Sequence, residues 1–127
     1  MWPINYRNLP KCSALSLKEE RHLIAKAKKG YQAETEELIL RHVDFIIFRL
    51  HKKAFPEYVA RFGEEILSQA VLILYEKIKT YNLRYRDEKG NFKPVKFSSY
   101  IWKRIDGFIL DFLKEELARE RHQVSLE

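Results

Sequence analysis

Three long segments of this chain carry apolar residues at three- and four-residue spacing, with few helix breakers inside them. From about 33 to 53 the series is Ile39, Val43, Ile46, Ile47 and Leu50. From 64 to 81 it is Ile66, Leu67, Ala70, Val71, Leu74 and Ile78. In the last segment, which should reach about residue 121, it is Ile101, Ile105, Phe108, Ile109 and Phe112. This is the helical period rather than the alternation of a strand, so each segment reads as an amphipathic helix. Four Gly and four Pro in 127 residues suit an all-α domain better than an all-β one. The expected fold is therefore all-α: a compact helical domain of three long helices plus a shorter N-terminal helix.

Local signals set the expected ends. Ser16 and Glu19 match a capping box and start the short helix, which should run to about Lys29 and stop at Gly30. Glu34, Glu36 and Glu37 favour the second helix's N-terminus. Phe55-Pro56 ends that helix, a short helical turn should follow over 56–62, and Gly63 should open the third helix at Glu64. Asn82 to Lys96 is the longest stretch without a helical pattern, and its Asp87–Asn91 turn residues fit a small hairpin or a loose loop. Ser98 or Ser99 should cap the last helix. The domain layout is an irregular arm over 1–15, a helical domain over 16–121 and a tail over 122–127 whose Leu126-Glu127 end matches a vector-derived remnant.

The net charge is +6 with 33% charged and 46% hydrophobic residues, which excludes a wholly disordered chain and points towards an anionic partner. The charge is uneven: seven basic and two acidic residues lie between Arg84 and Arg104, but two basic and five acidic ones between Asp106 and Glu120. Cys12 is the single cysteine, so no intrachain disulfide forms and a reducing cytoplasm is expected. No apolar run approaches a membrane span, and no membrane partner is expected.

Aromatic and basic residues cluster before and within the start of the last helix. Rings that stack on bases and cations that track phosphates are the parts that hold single-stranded nucleic acid. Phe97, Tyr100 and Trp102 with Lys93, Lys96, Lys103 and Arg104 supply them. By spacing, Phe97 and Ile101 belong to the core, whereas Tyr100, Lys103 and Arg104 fall off the apolar stripe. Glu19 and His22 form one E-x-x-H, but a carboxylate-bridged metal bundle needs two such motifs and two further buried glutamates. His22, His42, His51 and His122 therefore read as surface histidines, with no metal and no cofactor expected. No nucleophile–His–acid arrangement, P-loop or dinucleotide glycine motif is present, so no catalytic residue is assigned.

Taken together, EEILSQAVLILYEKIKTYN (Glu64–Asn82) and KFSSYIWKRIDGFILDFLKEE (Lys96–Glu116) resemble the second conserved region of bacterial RNA polymerase sigma factors. The YIWKRIDG wording is similar to the alternative, flagellar and sporulation-type members. LSLKEERHLIAKAKKGYQAETEELILRHVDFII resembles the helices that precede these stretches, so the likeness spans roughly 16–121. It implies that the third long helix docks on the clamp coiled coil of the polymerase's largest subunit. Carried over by position, the docking face is Glu65, Ser68, Gln69, Leu72, Tyr75 and Glu76, away from the side held by Leu67, Ala70, Leu74 and Ile78. It also implies that the aromatic segment captures the non-template strand of the minus-ten promoter element. A flipped adenine would stack on Tyr100, with Lys93, Lys96, Trp102, Lys103 and Arg104 as further DNA-binding residues.

The departures limit the carry-over. Ala70 and Ile73 stand where the family's clamp motif has glycines, so neighbouring packing must differ. Asp106, Gly107 and Phe108, with Asp111 one turn on, stand where the family faces upstream duplex with Arg or Lys and small or polar residues. Polymerase docking therefore carries over better than duplex reading. The 82–95 loop is longer than in most members. Only six residues follow Arg121, so the helix-turn-helix domain of a complete sigma factor is not in this sequence. The resemblance thus implies a fragment, or a split or minimal member, with an anti-sigma factor or a second chain supplying the missing domain as further partners. Its rivals are a sigma-like regulator or decoy that docks without opening DNA, a generic helical nucleic-acid-binding module, and a metalloenzyme bundle.

Overall fold

The computed structural model describes residues 15–92 and 95–126, with side chains to His122. The arm before Leu15 and the candidate Lys93 lie outside the described residues. Among the described residues four helices follow in order: α1 (Leu17–Lys28), α2 (Gln32–Lys53), α3 (Pro56–Thr80) and α4 (Phe97–Leu126). The domain is all-α, with one short helix and three long ones. The only β pairing among the described residues is an isolated antiparallel bridge, Arg86 to Phe92. None of the described helices is long and apolar enough to cross a membrane.

α1 starts where its cap requires. The Ser16 hydroxyl oxygen accepts from the Glu19 backbone N–H at 3.2 Å, and the same hydroxyl donates to the Glu19 carboxylate at 2.9 Å. The helix ends on a Schellman motif: Gly30 donates to the Ala27 carbonyl at 3.0 Å and Tyr31 to the Lys26 carbonyl at 3.2 Å. Gly30 adopts φ +91°, which a side chain rarely tolerates. α2 ends because Phe55, preceding Pro56, is pushed to extended backbone (φ −64°, ψ 150°), and Pro56 then sits in the first turn of α3.

Two expected boundaries are corrected. α3 runs unbroken from Pro56 through Gly63, so no separate turn precedes it. A mid-helix glycine costs about 1 kcal/mol, and the buried residues on either side of it, Val59, Ile66 and Leu67, outweigh that. α4 begins at Phe97, one residue before the expected serine cap. Its first N–H is taken instead by the carboxylate of Glu20, reaching across from α1. A buried carboxylate at a helix N-terminus does what a local cap would do and adds a favourable charge–dipole term. α4 also runs past residue 121, to Leu126.

α2 is the central element and packs on α1, α3 and α4, while α3 also meets α1 and α4. The apolar stripes all turn inward. Ile24, Leu38, Val43, Ile46, Leu50, Ile66, Leu67, Leu74, Phe97, Ile101, Ile105 and Ile109 have no exposed surface. Ile73, at a position where the resemblance leads one to expect glycine, is 6% exposed and belongs to the core.

One histidine departs from the surface reading. His42 is buried, and its ring meets Phe97 edge-on at 5.0 Å. A carbonyl only accepts, so the Nδ1–H donates to the Leu38 carbonyl at 2.8 Å. His42 lies on the same α2 stripe as Leu38, Ile39 and Ile46, a sign visible in the spacing. Burial lowers its pKa below the ordinary 6.5, partly opposed by the Leu38 bond and by nearby Glu20. The unfolded chain therefore binds this proton more readily. The His42 contribution to stability is complete above pH 6.5 and is lost as pH falls towards the lowered folded-state value. Urea midpoints at two pH values across that window should diverge in the native protein and converge in His42→Gln.

Candidate nucleic-acid interface

Where α3 hands over to α4, the chain forms an open groove of about 520 Å³. Tyr81 comes from the end of α3, Asn82, Tyr85 and Val95 from the connection, and Ser99, Tyr100, Trp102 and Lys103 from α4. Groove and helices are tied together at Tyr81, which is buried and donates its hydroxyl to the Val95 carbonyl. Burial raises the pKa of that hydroxyl, so it stays a proton donor.

Tyr100 forms the floor. It is half-buried, its hydroxyl shares a 2.8 Å hydrogen bond with Thr80, and its ring meets Tyr81 at 5.4 Å and a 90° angle. The Lys77 ammonium sits 4.9 Å from the same ring, so one face of Tyr100 already carries a cation. Trp102 is the more open ring, 38% exposed. It separates the groove from a second depression of about 420 Å³ lined by Phe45, Arg49, Ser98 and Ser99. The Arg49 guanidinium lies 5.4 Å and the Lys103 ammonium 5.6 Å from the Trp102 ring. Lys96, Lys103 and Arg104 are exposed. The structure thus gathers Tyr100, Trp102 and Lys103 around one groove, with Lys96 and Arg104 on neighbouring positions. It adds Tyr85 and Tyr81, which helical spacing could not place because they lie at or beyond the end of α3.

Asp106 is not presented to an incoming phosphate. It is buried, with 7% of its surface exposed, and is gripped by Arg49 of α2 through two hydrogen bonds, one of 2.8 Å from Nε. Lys53 lies 3.9 Å away as a second cation. The bond to Asp106 raises the Arg49 pKa above its ordinary value. Gly107 next to it is exposed, and Asp111 faces solvent. The carboxylate expected to face DNA is instead part of an internal ion pair that holds Arg49 beside Trp102.

The proposed docking residues form the solvent side of α3. Glu65, Ser68, Leu72 and Glu76 are exposed, and Gln69 and Tyr75 are half-buried. Leu72 is 63% exposed, while Leu67, Ala70, Leu74 and Ile78 on the other side are buried. An apolar side chain that open on a mixed helix face is a natural anchor for a partner helix. Glu19 and His22 are exposed, and no three potential metal ligands lie together among the described residues. Comparison with family models, with curated proteins and with solved structures finds no match to this chain.

Proposed function

We propose that this chain is a transcription-initiation domain that docks on the clamp coiled coil of RNA polymerase core and engages the minus-ten promoter element, mainly as single-stranded non-template DNA. The observation that carries the reading is the groove at the start of α4, where aromatic rings and cations converge in an open slot. Stacking on a ring contributes about 1–3 kcal/mol per base, comparable with the few kcal/mol that base extrusion costs. Trp102 offers the open ring, Tyr100 the floor, and Lys96, Lys103 and Arg104 the charge for the strand. The protein contributes binding and orientation and no chemistry of its own. The decoy reading draws on Asp106 and Asp111; Arg49 and Lys53 engage the first carboxylate, while Asp111 is exposed.

Two variants test the two halves. Leu72→Arg should weaken binding to the isolated clamp coiled coil about 30-fold, the size of an anchor residue's loss. Trp102→Ala should weaken binding to a minus-ten non-template oligonucleotide, in the presence of core, at least about tenfold. If the native protein has no measurable affinity for the coiled coil, the docking half is wrong. Nucleic-acid affinity without any clamp binding would select the generic helical module.

A further inference from the structure

α2 packs against α1, α3 and α4, and the side it leaves open carries a row of side chains four residues apart: Leu40, Asp44, Phe48 and Lys52. Leu40 is 46% and Phe48 52% exposed, and Asp44 and Lys52 are exposed on the same row. Just past the helix end, Phe55 is 74% exposed. The core side of α2 is already filled by Leu38, Val43, Ile46 and Leu50, so packing within the chain does not call for apolar residues here. Exposed apolar residues scattered singly need no explanation, but two on one row with a third at its end mark an interaction surface.

The order along this line is apolar, acidic, apolar, basic, apolar. Read from its other end, the apolar positions keep their places and the two charges exchange signs. Phe48 is the midpoint, and the Lys52 ammonium lies 5.3 Å from its ring. Asp44 and Lys52 stand about 12 Å apart along the axis, at 1.5 Å per residue, so they do not pair on one helix. A second copy of α2, laid antiparallel with Phe48 against Phe48, sets Asp44 opposite Lys52 twice over. It also brings Leu40 to the end of the row where Phe55 lies. Residues four apart form the ridge used in the commonest helix–helix packing, and two such ridges run alongside one another when the axes cross near −50°. A two-fold axis through Phe48 makes the contact isologous, so assembly closes at a dimer.

We propose that α2 is a self-association helix: a second copy of this chain docks antiparallel on the Leu40–Asp44–Phe48–Lys52 row. Phe48 is the anchor on the two-fold axis, and reciprocal Asp44–Lys52 pairs fix the register. Charge complementarity selects this occupant. A partner helix of one sign of charge would meet Asp44 or Lys52 with like charge, whereas the row matches its own reverse. None of the four residues lines the groove or the second depression, and none lies on the α3 docking face. The two-fold contact therefore does not depend on the transcription reading.

Sedimentation equilibrium of the whole chain at rising concentration should follow a monomer–dimer equilibrium. Phe48→Glu, which sets two carboxylates against each other on the axis, should weaken the dimer at least about 30-fold. Asp44→Lys and Lys52→Asp should each weaken it about tenfold, because both pairs then carry like charges. An equimolar mixture of those two variants should dimerise like the native chain, and so should the double variant carrying both changes, since every pair regains opposite charges. These positions are exposed, so the variants should keep the native urea midpoint where the native chain is monomeric. A native chain that stays monomeric refutes the dimer, as does Phe48→Glu dimerising like the native chain. Absence of rescue in the mixture refutes the antiparallel register. If the native chain is monomeric and Phe48→Glu loses affinity for the clamp coiled coil, the row belongs to the polymerase contact and the self-pairing is overturned.

Discussion

Phe97→Ala should lower the unfolding free energy by about 4 kcal/mol, within the range for removing a buried phenylalanine. Phe97 has no exposed surface, and its ring is bounded by His42 at 5.0 Å, Tyr81 at 6.1 Å and Tyr100 at 6.4 Å. Its backbone N–H is also the first donor of α4, held by Glu20. Those neighbours belong to three different helices and to the groove's floor, so the cavity cannot close by moving one side chain. A loss of that size takes a large part of the usual 5–15 kcal/mol of a small domain. The check is the urea midpoint at constant slope, and a change below about 1 kcal/mol would contradict the packing described. Single-strand binding should fall too, because Tyr81 and Tyr100 lose their backing.

Arg49→Ala should cost more stability than Asp106→Ala, about 3 kcal/mol against about 1–2 kcal/mol. The asymmetry follows from exposure. The Asp106 side chain is 9% exposed, so removing Arg49 strands a carboxylate with only Lys53 at 3.9 Å. The Arg49 side chain is 18% exposed and long, so without Asp106 it can swing into water. The double variant Arg49→Met with Asp106→Leu should recover most of the loss, as replacing a whole buried pair by apolar residues often does. Chemical denaturation of the two alanine variants and the double variant decides it, and equal losses from both single changes would refute the argument. Asp106→Ala should in addition release Arg49 from the Trp102 ring and weaken single-strand binding more than its stability loss accounts for.

That pair also changes what the start of α4 means. A carboxylate directly after a basic segment looked like an obstacle to DNA. Placed against α2 it is a fixture for a cation beside Trp102, the exposed ring that α4 contributes to the groove. The same segment's Phe97 and Ile101 are core, as their spacing required, whereas Tyr100 is a wedge between core and groove rather than a free platform.

The sequence by itself determined the helical class, the four helices in their order, the capped start and Gly30 end of α1, the break at Pro56 and the inward faces of α2, α3 and α4. These are consequences of bonds and contacts within a few residues, which repeat at the helical period. Gly63 was misleading because its propensity penalty is local and small, while the burial that overrides it comes from other helices. His42 was legible on its stripe, yet its chemistry argued for the surface. Only the tertiary structure decided that Glu20 caps α4 across 77 positions, that Arg49 meets Asp106 across 57, and that Tyr85 shares a groove with Trp102. No periodicity encodes such meetings, because they depend on how α1 and α4 each pack on α2 and on a connection that Arg21 of α1 holds at the Leu83 carbonyl.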